Sequence, residues 1–181
     1  AQIAGFDGVD KRLDVFAPAI RMGATVHDLE RFELAYAPPF GSAKDPVNMA
    51  GFLATNVLKG DLKLWYAQDF PAAVDGARII DVRTREEYDI WHIPGAENVP
   101  LPTLREASVS WDPSMPVRLY CAVGFRSYLA YRSLVQRGFA DVKTLSGGSH
   151  TFRFWHDLEQ SRIEPHAVEI PIRVVQKSAA A

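Results

Sequence analysis

One cysteine, Cys121, is the side chain of this sequence best suited to nucleophilic chemistry. It follows the segment Val117-Arg118-Leu119-Tyr120, which predicts a buried strand, and it precedes a short loop that contains Gly124 and Arg126. Helical periodicity begins at Ser127, so the cysteine is predicted between a strand end and a helix N-terminus. Loop N–H groups, the helix dipole and a nearby cation all stabilise an anion there, and they would lower the pKa of the thiol.

Cys121 also has a purely structural interpretation. Free cysteine is among the most buried residue types, and at the end of a buried strand it can serve only as a small apolar side chain. Gly124 favours the functional interpretation, because glycine permits a tight loop in which several N–H groups converge. Both interpretations stay open on these residues alone.

The composition excludes several other classes of protein. The chain has 181 residues and a net charge of −2, which provides no bulk electrostatic reason to bind nucleic acid or an anionic membrane surface. One cysteine excludes an internal disulfide, and the histidines lack a recognisable metal-ligand spacing, so we expect no metal site. We see neither a membrane span of roughly 20 apolar residues nor a signal peptide, and we expect a cytoplasmic protein.

Strands alternate with helices around Cys121, which predicts βαβ units and a largely parallel sheet. A capping box, Thr84 with Glu87, marks the start of one of these helices. The predicted elements are strands at 77–82, 117–120 and 142–145, an extended piece at 99–101, and helices from 85, over 127–137 and over 151–160. Ligands of such sheets bind beyond the carboxyl ends of the strands, which is where Cys121 is placed.

The first 60 residues show a different pattern, and Gly60-Asp61 is a candidate boundary. Capping signals at Thr25 and Asp45 each predict the start of a helix. The predicted elements are helices over 9–22, from 25 and over 46–58, and strands over 2–6 and 32–37. Near the other end of the chain, strict alternation over 168–175 predicts an edge strand.

Residues 65–158 resemble a rhodanese domain, and five motifs carry the resemblance in the order and spacing of that family. The motifs are Ile80-Asp81-Val82-Arg83, Glu87-Tyr88, His92 to Val99, the Cys121 loop, and Ser146-Gly147-Gly148 with Trp155. The resemblance implies that Cys121 accepts sulfane sulfur as a persulfide and passes it to an acceptor. It also implies a substrate-binding loop made of Ala122, Val123, Gly124, Phe125, Arg126 and Ser127.

Four further residues receive supporting roles from this resemblance. Asp81, Arg83 and Glu87 look like a charge cluster for acid–base work, but the family pattern favours a structural ion pair near the end of the sheet. His92 is interpreted as a hydrogen-bonded structural histidine. Trp91 departs from the family pattern, which has glycine before this histidine, and we expect little effect on the chemistry.

The distance between cysteine and arginine distinguishes two kinds of thiolate enzyme. Cysteine-dependent phosphatases place five residues between them, which makes a wider loop that fits phosphate. Four residues separate Cys121 from Arg126, and Ser127 occupies the phosphatase position. A phosphatase or arsenate-reductase function is therefore disfavoured.

Residues 1–62 resemble part of the dimerisation domain of pyridine nucleotide-disulfide oxidoreductases of the coenzyme A disulfide reductase group. The matching residues are Gly8 to Arg12 and the run Leu34 to Gly51. The resemblance implies a truncated α+β segment, a homodimer, and a contact of Tyr36 with the other subunit; packing of Tyr36 within its own chain is the equal alternative. The FAD, NAD(P)H and coenzyme A sites of that group lie in domains that this sequence lacks, so we expect no cofactor in this chain.

The sequence therefore predicts an α/β protein with three parts. They are a partial dimerisation domain over 1–62, a rhodanese-like parallel sheet flanked by helices over 65–158, and an extension over 159–181. We expect the edge strand of the extension to cover some of the surface that the truncation exposes, within the chain or on a partner. The predicted function is sulfur transfer between small donors and acceptor thiols, such as coenzyme A persulfide, polysulfide or thiosulfate. It would serve the reductase domains of a longer parent protein. The alternative is a non-catalytic dimerisation module with a vestigial loop.

Overall fold

The computed structural model describes residues 1–39 and 41–163. The predicted strand at 168–175, and with it most of the predicted extension, lies outside the described residues. In chain order the helices and strands are α1 (Val9–Arg21), α2 (Val26–Arg31), α3 (Pro46–Leu58), β1 (Leu64–Trp65), β2 (Arg78–Asp81), α4 (Arg85–Ile90), β3 (Glu97–Asn98), α5 (Leu101–Ala107), β4 (Val117–Tyr120), α6 (Phe125–Gln136), β5 (Val142–Leu145) and α7 (Gly148–Ile163).

The five strands form one parallel sheet in the order β1-β5-β4-β2-β3. Strand β4 lies at its centre, and all four of its residues are buried. A central parallel strand is covered on both faces, which explains why Val117, Leu119 and Tyr120 are apolar and why the buried Arg118 has hydrogen-bond partners. Cys121 follows the last residue of β4 and therefore lies midway along the edge formed by the carboxyl ends of the strands.

Two apolar clusters cover the two faces of the sheet, and the alternation of β4 assigns its side chains to them. Leu119 and Cys121 belong to one cluster, which includes Leu134 of α6. Tyr120 belongs to the other, which includes Phe152 of α7. Side chains two apart on a strand share a face, so the cysteine is fixed by the same packing as Leu119.

The first three helices pack against one another through close backbone contact and capping. A Cβ atom at Gly51 of α3 would lie 2.7 Å from the backbone nitrogen of Glu30, so glycine is what lets α2 and α3 approach. Asp45 caps α3 by accepting a hydrogen bond from the Val47 N–H at 3.0 Å, and its carboxylate also pairs with Arg12 of α1 at 3.0 Å. The cap predicted at Asp45 is thus confirmed, and it ties two helices together.

The strands predicted over 2–6 and 32–37 are wrong, because both segments are irregular. An isolated strand leaves its backbone groups unpaired, and in the described part of the chain no strand lies beside either segment. The Asn48 side chain instead donates to the carbonyl oxygens of Leu29 and Phe32, at 3.0 and 2.9 Å, where the second segment begins.

Smaller corrections concern the starts of elements near the site. The extended piece predicted at 99–101 is displaced, because β3 ends at Asn98 and the prolines at 100 and 102 begin α5. Helix α6 begins at Phe125, two residues before the predicted start. Helix α7 begins at Gly148, three residues before the predicted start.

Candidate active site around Cys121

Cys121 lies at the bottom of a tight loop between β4 and α6, and its residue is 1% exposed. Gly124 precedes α6 with φ 127° and ψ −28°, a conformation that side chains rarely adopt. This turn aims the Gly124 N–H at the sulfur, with 3.1 Å between the nitrogen and Sγ. The glycine that favoured a functional loop in the sequence is therefore required by the backbone of that loop.

Opposing effects act on the pKa of the Cys121 thiol, and the lowering effects prevail. Burial raises the pKa. Hydrogen bonds from the backbone N–H groups of Ser127, Gly124 and Val123, and from the Ser127 hydroxyl, lower it below its ordinary value. The thiol thus has an anion-binding environment made mainly of backbone donors at a helix start.

Arg126 is not the free cation that the loop sequence indicated. Its guanidinium holds Glu87 of α4 in a bidentate ion pair, with N–O distances of 2.6 and 2.7 Å. This hydrogen bonding lowers the pKa of Glu87 to about 2, so the pair is neutral as a whole over the physiological range. Glu87 therefore belongs with Arg126 and not with Asp81 and Arg83, with which the sequence grouped it.

Asp81 and Arg83 form a separate buried ion pair at the carboxyl end of β2. Arg83 Nη2 lies 2.6 Å from an oxygen of Asp81 and 2.6 Å from the carbonyl oxygen of Trp91. Nearby, the Ile93 N–H donates to the hydroxyl of Tyr120 at 3.1 Å. These bonds hold the segment 91–93 against the sheet, which is a supporting role of the kind that the family pattern implies.

The His92 and Trp91 side chains both pack against aromatic rings. The His92 ring stacks on Tyr88 with 3.9 Å between centroids, and its Nδ1 lies 3.0 Å from the Tyr88 carbonyl oxygen. Trp91 contacts Phe152 in the second core cluster. Its side chain replaces the glycine of the family pattern by filling space against α7, and that it has little effect on the chemistry stays a prediction.

The first residues of α7 are hydrogen-bonded to the backbone of the Cys121 loop. The N–H groups of Ser149 and His150 donate to the carbonyl oxygens of Cys121 and Ala122, at 2.8 and 3.2 Å. A Cβ atom at Gly148 would overlap the same two carbonyl oxygens. The Gly-Gly turn is therefore needed for α7 to reach the loop.

The outer side chains of the loop are apolar and exposed. Val123 is 64% exposed and Phe125 is 66% exposed, and they flank the buried sulfur. Ser127 points inward and is fully buried. A substrate that reaches Cys121 would therefore meet an apolar rim and a ring of backbone donors.

A second inward hydroxyl near the loop, Thr144 of β5, was missed by the sequence analysis. Its Oγ1 lies 2.6 Å from Oγ of Ser127. The signal available in the sequence was a polar residue in an otherwise apolar strand end, which by itself does not reveal a contact with a loop 17 residues away.

Tyr36 lies apart from this loop, in the irregular segment between α2 and α3, and is 57% exposed. Its contact with another subunit stays a prediction. Within residues 1–39 and 41–163, no three His, Cys, Asp or Glu side chains are grouped as a metal would require. In the same ranges, every helix is too short or too polar to cross a membrane.

Comparison with known proteins identifies the region around Cys121. The sequence profile of the rhodanese-like domain matches residues 66–154. The Bacillus subtilis protein YqhL is 34% identical over 94 residues, which are 52% of this chain and 72% of that protein.

Solved structures match a longer part of the chain. The reduced CoADR-RHD of Bacillus anthracis has a TM-score of 0.77 and 40% identity, over 81% of this chain and 26% of that one. The NAD-dependent persulfide reductase from A. fulgidus has a TM-score of 0.72 and 33% identity, over 82% of this chain and 26% of that one.

Among curated proteins, the coenzyme A disulfide reductase of Staphylococcus epidermidis is 48% identical over 54 residues. These residues are 30% of this chain and 12% of the reductase. The chain therefore spans about an eighth of this reductase and about a quarter of each of the two solved chains.

Proposed function

With residues 66–154 the chain belongs to the rhodanese-like family, and we propose that it transfers sulfane sulfur through a persulfide of Cys121. The observation that carries the proposal is the buried sulfur under the loop N–H groups, with Gly124 N at 3.1 Å and a lowered pKa. A lowered pKa increases the thiolate fraction at neutral pH, and the thiolate is the reactive form.

The transfer needs one cysteine and no external oxidant or reductant. The Cys121 thiolate attacks the outer sulfur of a donor R–S–SH; a sulfur–sulfur bond to Cys121 forms, the bond within the donor breaks, and R–S⁻ leaves. An acceptor thiolate then attacks the outer sulfur of the Cys121 persulfide, which yields the acceptor persulfide and restores the Cys121 thiolate. The N–H groups that lower the thiol pKa would also bind the anionic persulfide.

We propose organic persulfides and polysulfides as donors in preference to thiosulfate. Arg126 is neutralised by Glu87, so the loop provides no free guanidinium for the additional negative charge of a sulfonate group. Val123 and Phe125 offer apolar contact to an organic group instead. Coenzyme A persulfide fits this class, and the similarity to reductases of coenzyme A disulfide and of persulfides supports a link to a reductase in a longer parent protein.

The experiment that tests sulfur transfer compares the wild type with Cys121→Ser. We expect the wild type to transfer sulfur from an organic persulfide to an acceptor thiol, and Cys121→Ser to be inactive, since serine provides no thiolate. Transfer by Cys121→Ser at the wild-type rate would contradict the proposal. A companion measurement is the alkylation rate against pH, whose midpoint should lie below the value of about 8.5 for a free thiol.

A separate observation favours a second role, self-association through residues 1–62. Apolar side chains of α1 and α3 are exposed; they include Leu13, Ile20, Met49, Leu53 and Val57. The Arg12–Asp45 ion pair joins the two helices, and exposed apolar patches are typical of interaction sites. We propose a homodimer formed through this surface, which is compatible with catalysis at Cys121 and is also the property expected of a non-catalytic module.

A further inference from the structure

An open groove lies between α5 and α6, and its lining combines arginines with apolar side chains. Its volume is about 890 Å³, which is within the range of about 300–1,000 Å³ that is common for pockets that bind small organic molecules. The side chains that matter for its chemistry are Arg105, Glu106, Val109, Leu129, Arg132 and Arg137. The groove can therefore contact both a negative charge and an organic chain.

One end of this groove lies near Cys121, because of how the two helices connect the strands. Helix α5 follows β3 and helix α6 follows β4, and each leads to the next parallel strand. Both helices therefore begin at the carboxyl edge of the sheet and return to the opposite edge. At the start of α5, the Leu101 N–H donates to the carbonyl oxygen of Val82 at 3.1 Å. At the start of α6, Phe125 flanks the Cys121 sulfur.

One face of α6 connects the Cys121 loop with the arginines. Phe125, Leu129 and Arg132 follow one another at intervals of four and three residues, so they lie on the same face of the helix. Since an α-helix rises by about 1.5 Å per residue, Arg132 lies about 10 Å along the axis from Phe125. The first two side chains are 66% and 41% exposed, and they form an apolar path from the sulfur to the positive charges.

The part of the groove far from Cys121 has a net positive charge. Arg132 pairs with Asp61 at 2.8 Å. The Arg137 guanidinium donates to the carbonyl oxygen of Arg105 and to a serine hydroxyl, which are both uncharged. In the part of the chain that the structure describes, the Arg105 guanidinium pairs with no carboxylate. Even with Asp61 and the groove carboxylate Glu106 counted, positive charge is in excess.

We propose that this groove binds the phosphate groups of the sulfur donor, so that the preferred donor is an organic persulfide with phosphates on an uncharged arm of about 10 Å or more. Guanidinium groups bind phosphate through paired hydrogen bonds, and the arm lies over Leu129 and Phe125. Thiosulfate has its charge next to its sulfur and cannot reach these arginines. This donor specificity rests on the proposed sulfur transfer, whereas binding of the corresponding thiol does not.

Coenzyme A and pantetheine are suitable probes, because pantetheine has the arm and thiol of coenzyme A but no phosphate. Their affinities for the whole chain can be compared by NMR titration of the two thiols, which requires no sulfur transfer. We expect tighter binding of coenzyme A, and we expect added salt to weaken it more than the binding of pantetheine. Equal affinities for the two thiols would overturn the proposal.

Two neighbouring exposed residues of α5 should change this affinity in opposite directions. Arg105→Ala should weaken coenzyme A binding about five-fold, or about 1 kcal/mol, with a much smaller effect on pantetheine. Glu106→Gln removes the negative charge from the groove and should tighten coenzyme A binding about two-fold, the size of one exposed charge interaction. An arginine that only stabilises its helix end would leave both affinities unchanged, and that result would overturn the proposal.

Arg21→Ala is the matched control for Arg105→Ala. Both arginines are exposed and lie in the last turn of their helices, but Arg21 belongs to α1 in the helical region. Arg21→Ala should keep the wild-type affinity for both thiols, and an effect as large as that of Arg105→Ala would overturn the assignment to the groove. Thermal unfolding of each variant confirms that a folded protein is being measured.

Sulfur transfer provides a separate measurement with the persulfides of the same two thiols. Arg105→Ala should raise the KM for coenzyme A persulfide more than the KM for pantetheine persulfide. Equal kcat/KM values of the wild type for the two donors would overturn the proposed donor specificity and leave sulfur transfer intact. A wild type that accepts sulfur from neither donor would contradict the proposed function, while the titration would still decide whether the groove binds phosphates.

Discussion

The helical region before Leu62 and the sheet domain after it bury apolar side chains very differently. Among the apolar residues that are buried in the described part of the chain, only Ala19 and Val47 precede Leu62. The sheet domain has two full clusters of its own, one on each face. The sheet domain thus has its own packed core around the site, whereas the helical region has little buried apolar surface, which is the basis of the homodimer proposed above.

Glycine serves both regions, but with different consequences. Gly51 lets two helices touch, and Gly148 lets α7 reach the carbonyl groups of the Cys121 loop. The contact at Gly51 stabilises the packing of the helical region, and the contact at Gly148 positions the loop that holds the Cys121 sulfur. Changes at these two positions should therefore separate stability from reactivity.

The largest effect is expected from Gly148→Ala. Gly148 has a φ of +62°, and a Cβ atom there would overlap the carbonyl oxygens of Cys121 and Ala122. We therefore expect Gly148→Ala to lower the free energy of unfolding by roughly 3 kcal/mol and to abolish sulfur transfer. Denaturant unfolding and the transfer assay measure both. Gly51→Ala should lower stability too but keep the alkylation midpoint of Cys121. If the two variants had the same effect on that midpoint, the distinction between the regions would fail.

The next effect concerns assembly. Leu53→Asp places a charge on the exposed apolar surface of α3, where Leu53 is 50% exposed, and should convert a dimer into a monomer. Sedimentation velocity measures the mass, and sulfur transfer per subunit should stay at the wild-type rate. Leu129→Asp makes the same change at a partly exposed leucine of α6 and should leave the mass unchanged. A wild type that sediments as a monomer would contradict the proposed dimer.

A moderate effect is expected when the neutral pair beside the sulfur is broken. Glu87→Gln leaves the Arg126 charge uncompensated, so the alkylation midpoint should fall and the use of thiosulfate relative to an organic persulfide should rise several-fold, about 1 kcal/mol. Glu97→Gln removes the carboxylate of another ion pair, 2.6 Å from Arg78, and should change neither value. An unchanged donor ratio in Glu87→Gln would show that this charge does not set donor preference.

The smallest effect is on the pH dependence of stability. The pKa of Glu87 is lowered from its ordinary 4.5 to about 2, so its ion pair stabilises the fold fully above pH 4.5 and loses this contribution as the pH falls towards 2. The difference in Tm between the wild type and Glu87→Gln should therefore be larger at pH 6 than at pH 3. Because both side chains are about one third exposed, solvent keeps the effect small. A constant difference would contradict the assignment of the low pKa.

Local signals in the sequence predicted the elements that carry the site. The strands predicted at 77–82, 117–120 and 142–145 are present as the inner strands of the sheet, and the capping box at Thr84 is present as predicted. The alternating segment 32–37 misled, because alternation shows which face is apolar but not whether a neighbouring strand exists. Strand β1 was missed because two residues are too few for a pattern.

The sequence predicted which residues form the site better than it predicted which of their side chains contact each other. Cys121 and its glycine loop follow from neighbouring residues, but Glu87 and Arg126 are 39 residues apart and meet only because the sheet brings the starts of α4 and α6 together. The contact of Thr144 with Ser127 arises in the same way, from a strand and a helix that are adjacent in space. Long-range contacts between single side chains leave no periodic signal in a sequence.

Intact-mass spectrometry tests sulfur carriage by Cys121 most directly. Incubation with an organic persulfide or polysulfide should add about 32 Da, one sulfur atom, to the wild type and nothing to Cys121→Ser, and cyanide should remove the added mass. Because the chain has a single cysteine, the adduct has one possible thiol site. A wild type that gains no mass from any sulfane-sulfur donor would contradict the proposed function and would leave self-association as the role of this chain.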